Sequence, residues 1–265
     1  MRYKLALVKE LGKNFHLGKT NADLGIPNYE LAVRQHNDYC RALMRSGVYL
    51  LRLPTDESNP DSCFVEDTAV ITDYGAIITR PGEISRLGEE KIMERVLEIY
   101  TPIIDHITEP GRLDGGDVIR ADNHYFIGLS RRTNEDGALQ LQDILERYGY
   151  TSSTINVPKD NLSILHLITG SSYIGGKIFI SRPEFTDEYR KLGYKVIEVP
   201  EEEKNAANLV LSGDHLLIPY NCPKTKDKLI DLDRYWIVEL ATSEFRKQDG
   251  DLTCLSIRIP KLKYK

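Results

Sequence analysis

One arrangement recurs along this sequence: two short apolar strands joined by a polar or glycine turn, then an amphipathic helix, then a further strand. Residues 69–80 form such a hairpin around Asp73-Tyr74-Gly75, ahead of a helix expected near 88–100. Residues 118–130 form another, turning at 121–124, followed by a helix at 138–148 and a strand at 153–157. A third, at 171–181, turns on Gly175-Gly176 and leads to a short helix and a strand at 195–199. A fourth, at 208–220, turns at Ser212-Gly213-Asp214 and leads to a helix from Lys224 and a strand at 235–240. The last strand, 253–259, has no partner downstream. The N-terminal strand 5–8, with the helix 28–46 and strand 48–53 after it, completes a fifth unit with it. A repeat of roughly 40 to 55 residues points to a cyclic α/β architecture rather than a doubly wound sheet. No Pro/Ser linker or low-complexity tract interrupts it, so 1–265 reads as a single domain.

Composition narrows the partners. With 41% hydrophobic and 28% charged residues the chain is an ordinary soluble globular sequence. A net charge of -5 and no Lys/Arg block argue against a nucleic-acid surface. No apolar run reaches the roughly 18 residues of a membrane span, and the start, 1–9, reads as a strand rather than a signal peptide. Cys40, Cys63, Cys222 and Cys254 show no CxxC pair and no metal-ligand spacing. They are expected to be free thiols in a reducing cytoplasm, with no metal and no cofactor. A small-molecule ligand is the expected partner.

Three places carry chemistry. In 113–117 two carboxylates, Asp114 and Asp117, flank Gly115-Gly116, which lets an acid be aimed into a crowded cleft. Arg131-Arg132 close the following hairpin and suit a ligand carboxylate. A second acidic run holds Asp61, Cys63, Glu66 and Asp67. Glu66 and Asp67 point apart in an extended chain and reach one ligand only from a turn, where they suit a planar cation such as guanidinium. His166 is embedded in the apolar stretch 162–169, and Cys254 follows Gly250 near the last strand. Each has a plainer reading on its own, as a core histidine or a small core thiol. Acidic neighbours disfavour a thiolate at Cys63, which ranks Cys254 above it. Cys, His and carboxylate together are what covalent catalysis through sulfur needs. Residues 12–27 lack any period and read as a long surface loop of the kind that forms lids.

The ordered set of motifs resembles the dimethylarginine dimethylaminohydrolase family, within the guanidine-modifying superfamily that includes arginine deiminase. It runs through 60–67, 77–82, 113–117, 127–134, Leu165-His166-Leu167, Ala206-Ala207-Asn208, Asp249-Gly250 and Thr253-Cys254, nearly the whole chain. The resemblance implies a five-bladed α/β propeller of ββαβ units with pseudo-fivefold symmetry, in agreement with the repeat count. It also implies an amidinohydrolase that converts methylated arginine to citrulline and methylamines through a covalent thiouronium. By that likeness Cys254 is the nucleophile, His166 the proton donor and acceptor, and Asp114 the residue that orients His166. Glu66 and Asp67 would hold the guanidinium. Asp61, with Gln248 and Asp249, would meet the α-amino group, Arg80 and Arg132 the α-carboxylate, and Thr169 would line the same end. Ile168 departs from the lysine expected there. The chain lacks room for the helical insertion of arginine deiminases, which favours dimethylarginine over arginine. Arginine, another N-substituted guanidine, or binding without turnover on the same scaffold are the alternatives, and a homodimer is the candidate assembly.

Overall fold

The structure, a computed structural model, describes residues 3–263. Its fifteen described strands form five three-stranded sheets with one topology throughout. The unit is clearest in the third sheet. There β6 (Val118–Ala121) runs antiparallel to β7 (His124–Leu129) through a tight turn, with Asp122 in the left-handed region at φ 55°. The chain then crosses over through α3 (Glu135–Arg147) and returns as β8 (Thr151–Asn156), parallel to β7. Asn134 starts α3 by accepting from the Gly137 N–H at 2.9 Å, with Glu135 and Asp136 in the first turn favouring the helix dipole.

The other units repeat this order. They are β3 (Ala69–Ile71), β4 (Ala76–Ile78), α2 (Glu89–Tyr100) and β5 (Ile104–His106); then β9 (Ser171–Tyr173), β10 (Ile178–Ser181), α5 (Pro183–Lys191) and β11 (Lys195–Glu198). The next is β12 (Val210–Ser212), β13 (His215–Pro219), α6 (Pro223–Ile230) and β14 (Trp236–Leu240). The fifth is closed by the two ends of the chain. β1 (Tyr3–Lys9) pairs antiparallel with β15 (Ile257–Pro260) and parallel with β2 (Tyr49–Leu53), which it reaches through α1 (Tyr29–Arg45). The expected ββαβ repeat and its ring closure are the architecture observed.

Each helix buries an apolar stripe on its sheet. Leu141 and Leu145 of α3 are fully buried against Tyr125 and Ile127, and Leu43 and Tyr39 of α1 pack with Val8, Phe15 and Phe245. The first strands of all five units face inward and line one central channel of about 530 Å³. Each of these strands is entered through a short turn, and these turns bring the functional side chains together.

One element departs from expectation at its start. The segment 253–259 reads as a strand, but Leu252–Leu255 is a 3-10 turn and pairing begins only at Ile257. Asp251 caps the Leu252 N–H at 2.9 Å, and Asn208 accepts from the Thr253 N–H at 3.0 Å, so the backbone that would extend the ladder is bonded elsewhere.

Candidate active site

The turns entering the inner strands supply the site in chain order. Glu66 and Asp67 lie in the 3-10 turn Val65–Thr68 before β3, the local geometry that lets neighbouring acids face one region. Asp114 and Asp117 bracket the glycine turn before β6. His166 immediately precedes the short helix α4 (Leu167–Gly170), which leads into β9, and Cys254 sits in the turn before β15. The glycines are required by crowding: a Cβ on Gly115 would lie 2.1 Å from the Glu66 carbonyl oxygen, and one on Gly116 would lie 2.9 Å from His166 Nδ1.

Around these turns lies a small cavity of about 20 Å³. Its walls include Lys19, Asp61, Phe64, Asp67, Arg86, Arg132, Leu165, His166, Gln248, Asp249, Gly250 and Cys254. Cys254 and His166, 88 residues apart in sequence, therefore share one wall system. Of the four free thiols Cys254 alone is half-buried, the other three being fully buried.

His166 is 3% exposed and carries its Nε2 to Asp114 Oδ2 at 2.9 Å, with Asp67 Oδ1 at 3.8 Å. Burial by itself would lower its pKa, but the charges of Asp67 and Asp117 and the hydrogen bond to Asp114 raise it to about 9, so the imidazole is protonated at neutral pH. Asp114 is held in turn by the Gly82 N–H at 2.7 Å, with Arg132 Nη1 at 3.6 Å. Burial raises the Cys254 pKa, and Glu66 and Asp67 raise it further, so the resting sulfur is a thiol. A cation placed between these groups would reverse that balance.

Asp67 is turned the other way: despite burial, His166 and Arg86 lower its pKa and keep it ionised. Arg86 is buried and forms ion pairs with Asp67 and Glu89 while donating to the Phe64 carbonyl at 2.8 Å. Asp117 supports the acid pair without lining the cavity. It accepts from Ser130 at 2.6 Å, Thr133 at 2.7 Å and the Leu167 N–H at 3.0 Å, fixing the helix that follows His166. Asn208, before β12, donates to the Ile168 carbonyl at 3.3 Å and to Thr253 Oγ1 at 2.9 Å, tying the histidine segment to the cysteine turn.

The remaining residues singled out by sequence are divided. Asp61, Asp67, Arg132, Gln248 and Asp249 reach the cavity wall. Glu66 lies behind it, facing the central channel and paired with Arg258 at 2.8 Å. Thr169 accepts from the His166 N–H at 3.3 Å and faces a neighbouring pocket beside residues 21–24. Arg80 is outside the wall: its guanidinium turns to Glu109 and the Gly111 carbonyl, both at 3.4 Å. The buried cation that lines the cavity beside Arg132 is Arg86, which the sequence did not single out; Asp117 and Asn208 stand within its motifs, but no role was read for either. Ile168 is buried among Ile164, Leu167 and Phe179.

The loop 12–27 covers the opening. The Lys19 N–H donates to Asp61 at 3.1 Å, the Asn21 N–H to Asp249 at 2.6 Å, and Gln248 to the His16 carbonyl at 3.4 Å. Among the described residues, Asp67, Asp114 and His166 are the group whose ligand atoms, all within 4.8 Å of one another, could hold a metal ion. Arg86 and Arg132 already approach those carboxylates. No helix of the described residues is long and apolar enough to cross a membrane.

A five-unit α/β propeller with cysteine, histidine and carboxylates on one cavity defines a member of the guanidine-modifying, or pentein, superfamily. Comparison with known proteins sharpens this. The chain is 40% identical over 248 residues to the N(G),N(G)-dimethylarginine dimethylaminohydrolase of Pseudomonas aeruginosa, covering 91% of this chain and 93% of that protein. Over 247 residues it is 33% identical to the enzyme of the same name from Streptomyces coelicolor, covering 93% and 91%. A solved structure of a cysteine-to-serine variant of the P. aeruginosa enzyme, complexed with citrulline, superimposes with a TM-score of 0.93 at 37% identity, covering 97% of this chain and 100% of that one. No protein-family model matches the sequence. The chain belongs to the dimethylarginine dimethylaminohydrolase family.

Proposed function

We propose that this protein hydrolyses Nω-methylated arginines to citrulline and methylamine or dimethylamine, with the whole chain acting as one catalytic unit. The observation that carries this reading is the meeting of Cys254, His166 and Asp67 on one cavity whose other wall holds Asp61, Asp249 and Arg132. Family membership and the citrulline complex of the P. aeruginosa relative support it.

The chemistry follows from the charges. A guanidinium is a resonance-stabilised and poor electrophile, so it must be held rigidly and attacked in line. Asp67 from the cavity wall, with Glu66 behind it, grips its nitrogens. The incoming cation offsets the carboxylates that keep Cys254 protonated, the thiol releases its proton to solvent, and the resulting thiolate attacks the guanidinium carbon. Protonated His166 gives its proton to the departing amine, leaving a thiouronium on sulfur. Water then adds to that carbon, losing a proton to His166. The carbonyl then forms as the C–S bond breaks, the electron pair returning to sulfur and the hydroxyl proton re-forming the thiol, and citrulline departs. Asp114 holds the imidazole throughout.

At the far end Asp61, Asp249 and Gln248 meet the α-amino group. Arg132, whose Nη1 makes no hydrogen bond, meets the α-carboxylate, with the charge of Arg86 beside it. Arg80 lies too far out of the wall to share that work. Phe64 and Leu165 give the cavity an apolar side that suits N-methyl groups better than a bare guanidine. The covering loop must open for entry, since the cavity is far smaller than an amino acid. Unpaired thiols at all four cysteines fit a cytoplasmic enzyme. A homodimer is the assembly that light scattering would test.

Purified protein incubated with dimethylarginine, monomethylarginine and arginine should form citrulline fastest from the methylated pair. A preference for arginine would reassign the substrate. Binding without product across the panel would leave a guanidine-binding protein instead.

A further inference from the structure

On the channel side of the cavity one guanidinium joins two parts of the site. Arg258, on β15, donates from Nη2 to Glu66 Oε1 at 2.8 Å and from Nη1 to the Thr253 carbonyl at 3.2 Å and Ser256 Oγ at 3.1 Å. Ser256 Oγ is itself 2.7 Å from the hydroxyl of buried Tyr39, so the fork is anchored to the core. The other carboxylate oxygen of Glu66, Oε2, is buried without a hydrogen-bond partner. Ile168 faces the same channel and brings no charge that could substitute. One side chain thus connects the turn carrying Glu66 and Asp67 to the carbonyl directly before Cys254.

We propose that Arg258 is a positioning residue for the hydrolysis, fixing the guanidinium-gripping turn and the nucleophile turn in one frame from beneath. This rests on the functional reading above. The fork demands two directions at once: a carboxylate on one unit and a peptide carbonyl on the next. Losing it frees Glu66 to swing into the channel and lets the Cys254 turn relax, and small displacements of reacting groups are costly in rate. The charge also matters, because the groups facing Glu66 are the anion Asp67, the Cys254 sulfur, the Tyr39 and Thr253 hydroxyls and the cation Arg258. Arg258 is the one cation among them, and its charge favours the ionised carboxylate most.

The test compares full-length wild type, R258K and R258M for kcat and KM on dimethylarginine from pH 5.5 to 9, with thermal unfolding measured alongside. R258M should lose about 100-fold in kcat/KM, and its acid limb should move to higher pH, because Glu66 has lost its counter-charge. R258K should keep the wild-type acid limb but lose about tenfold in kcat, since a point charge cannot span both partners. Variants within twofold of wild type with an unmoved pH profile would overturn the proposal, as would a lowered melting temperature with nothing else changed. R258K decides alone should R258M not fold. Wild type inert toward every methylated arginine is a different result, and overturns the functional reading itself.

Discussion

Replacing Asp114 by Asn removes one charge and almost no volume from a site that is fully buried. Asp114 accepts two hydrogen bonds from opposite sides, the Gly82 N–H at 2.7 Å and His166 Nε2 at 2.9 Å. An Asn has one acceptor oxygen, so in either flip state one buried donor faces an NH2 group, at a cost of about 1–3 kcal/mol. The second effect falls on His166. Its folded pKa of about 9 stands above the ordinary 6.5, so its ionisation stabilises the fold fully below pH 6.5, and that stabilisation is lost as pH rises through 9. The difference corresponds to about 3 kcal/mol for all the surrounding carboxylates together, of which Asp114 supplies a part. The variant should therefore be less stable than wild type by about 2 kcal/mol at pH 6–7, and the gap should narrow above pH 9. In turnover, less of the proton donor for the leaving amine is protonated as its pKa drops toward 6.5. The alkaline limb of kcat should move down from near 9, with a loss of up to about 30-fold at pH 8 that shrinks at pH 6. Citrulline formation across pH 5.5–10, with urea melts at three pH values, measures both. An alkaline limb of D114N superimposed on that of wild type would refute the account of His166.

Other substitutions probe separate parts of the site. Cys254→Ser should fold with an unchanged melting temperature and form no citrulline; any sustained turnover would remove Cys254 from the mechanism. Arg86→Met leaves Asp67 and Glu89 buried without their cation and should cost about 3–5 kcal/mol in denaturant melts. Arg80→Ala breaks only a partly exposed contact and should cost under about 0.5 kcal/mol. A raised KM in Arg132→Ala but not in Arg80→Ala, by steady-state kinetics, would place the carboxylate contact as proposed. Gly116→Ala pushes a methyl group against His166 and Asp67 and should abolish turnover; a fully active variant would show that the turn can move away.

The ring was legible because its punctuation is chemical. Gly175 and Gly176, both in the left-handed region, and the Gly213 turn mark hairpins that few other residues could make. Asn134 announces the helix it caps. The three residues of β5 after Thr101-Pro102 are too short for any period and went unseen. Cys254, His166 and Asp114 stood out as residue types needing explanation, and the structure brings them to one place. Arg86 did not, since Ile84-Ser85-Arg86-Leu87 looks like any solvated turn, and its burial is decided by Asp67 and the Phe64 carbonyl. Arg80, next to Pro81-Gly82, looked just as eligible, and only the path of the chain beyond it directs its side chain outward. Asp117 stood out beside Asp114 in the glycine turn, but its supporting role was not readable, because its donors, Ser130, Thr133 and Leu167, come from two other segments.

Pairing of β15 with β1 has a temporal consequence. As the polypeptide leaves the ribosome, four units can form while the first sheet still lacks its innermost strand, and the sulfur proposed as nucleophile has yet to be added. A product stopped anywhere before Leu252 has an open ring and no reactive thiol at its centre. On the proposed mechanism such copies are chemically silent, and a cut just before Cys254 would break the circle and the reaction together.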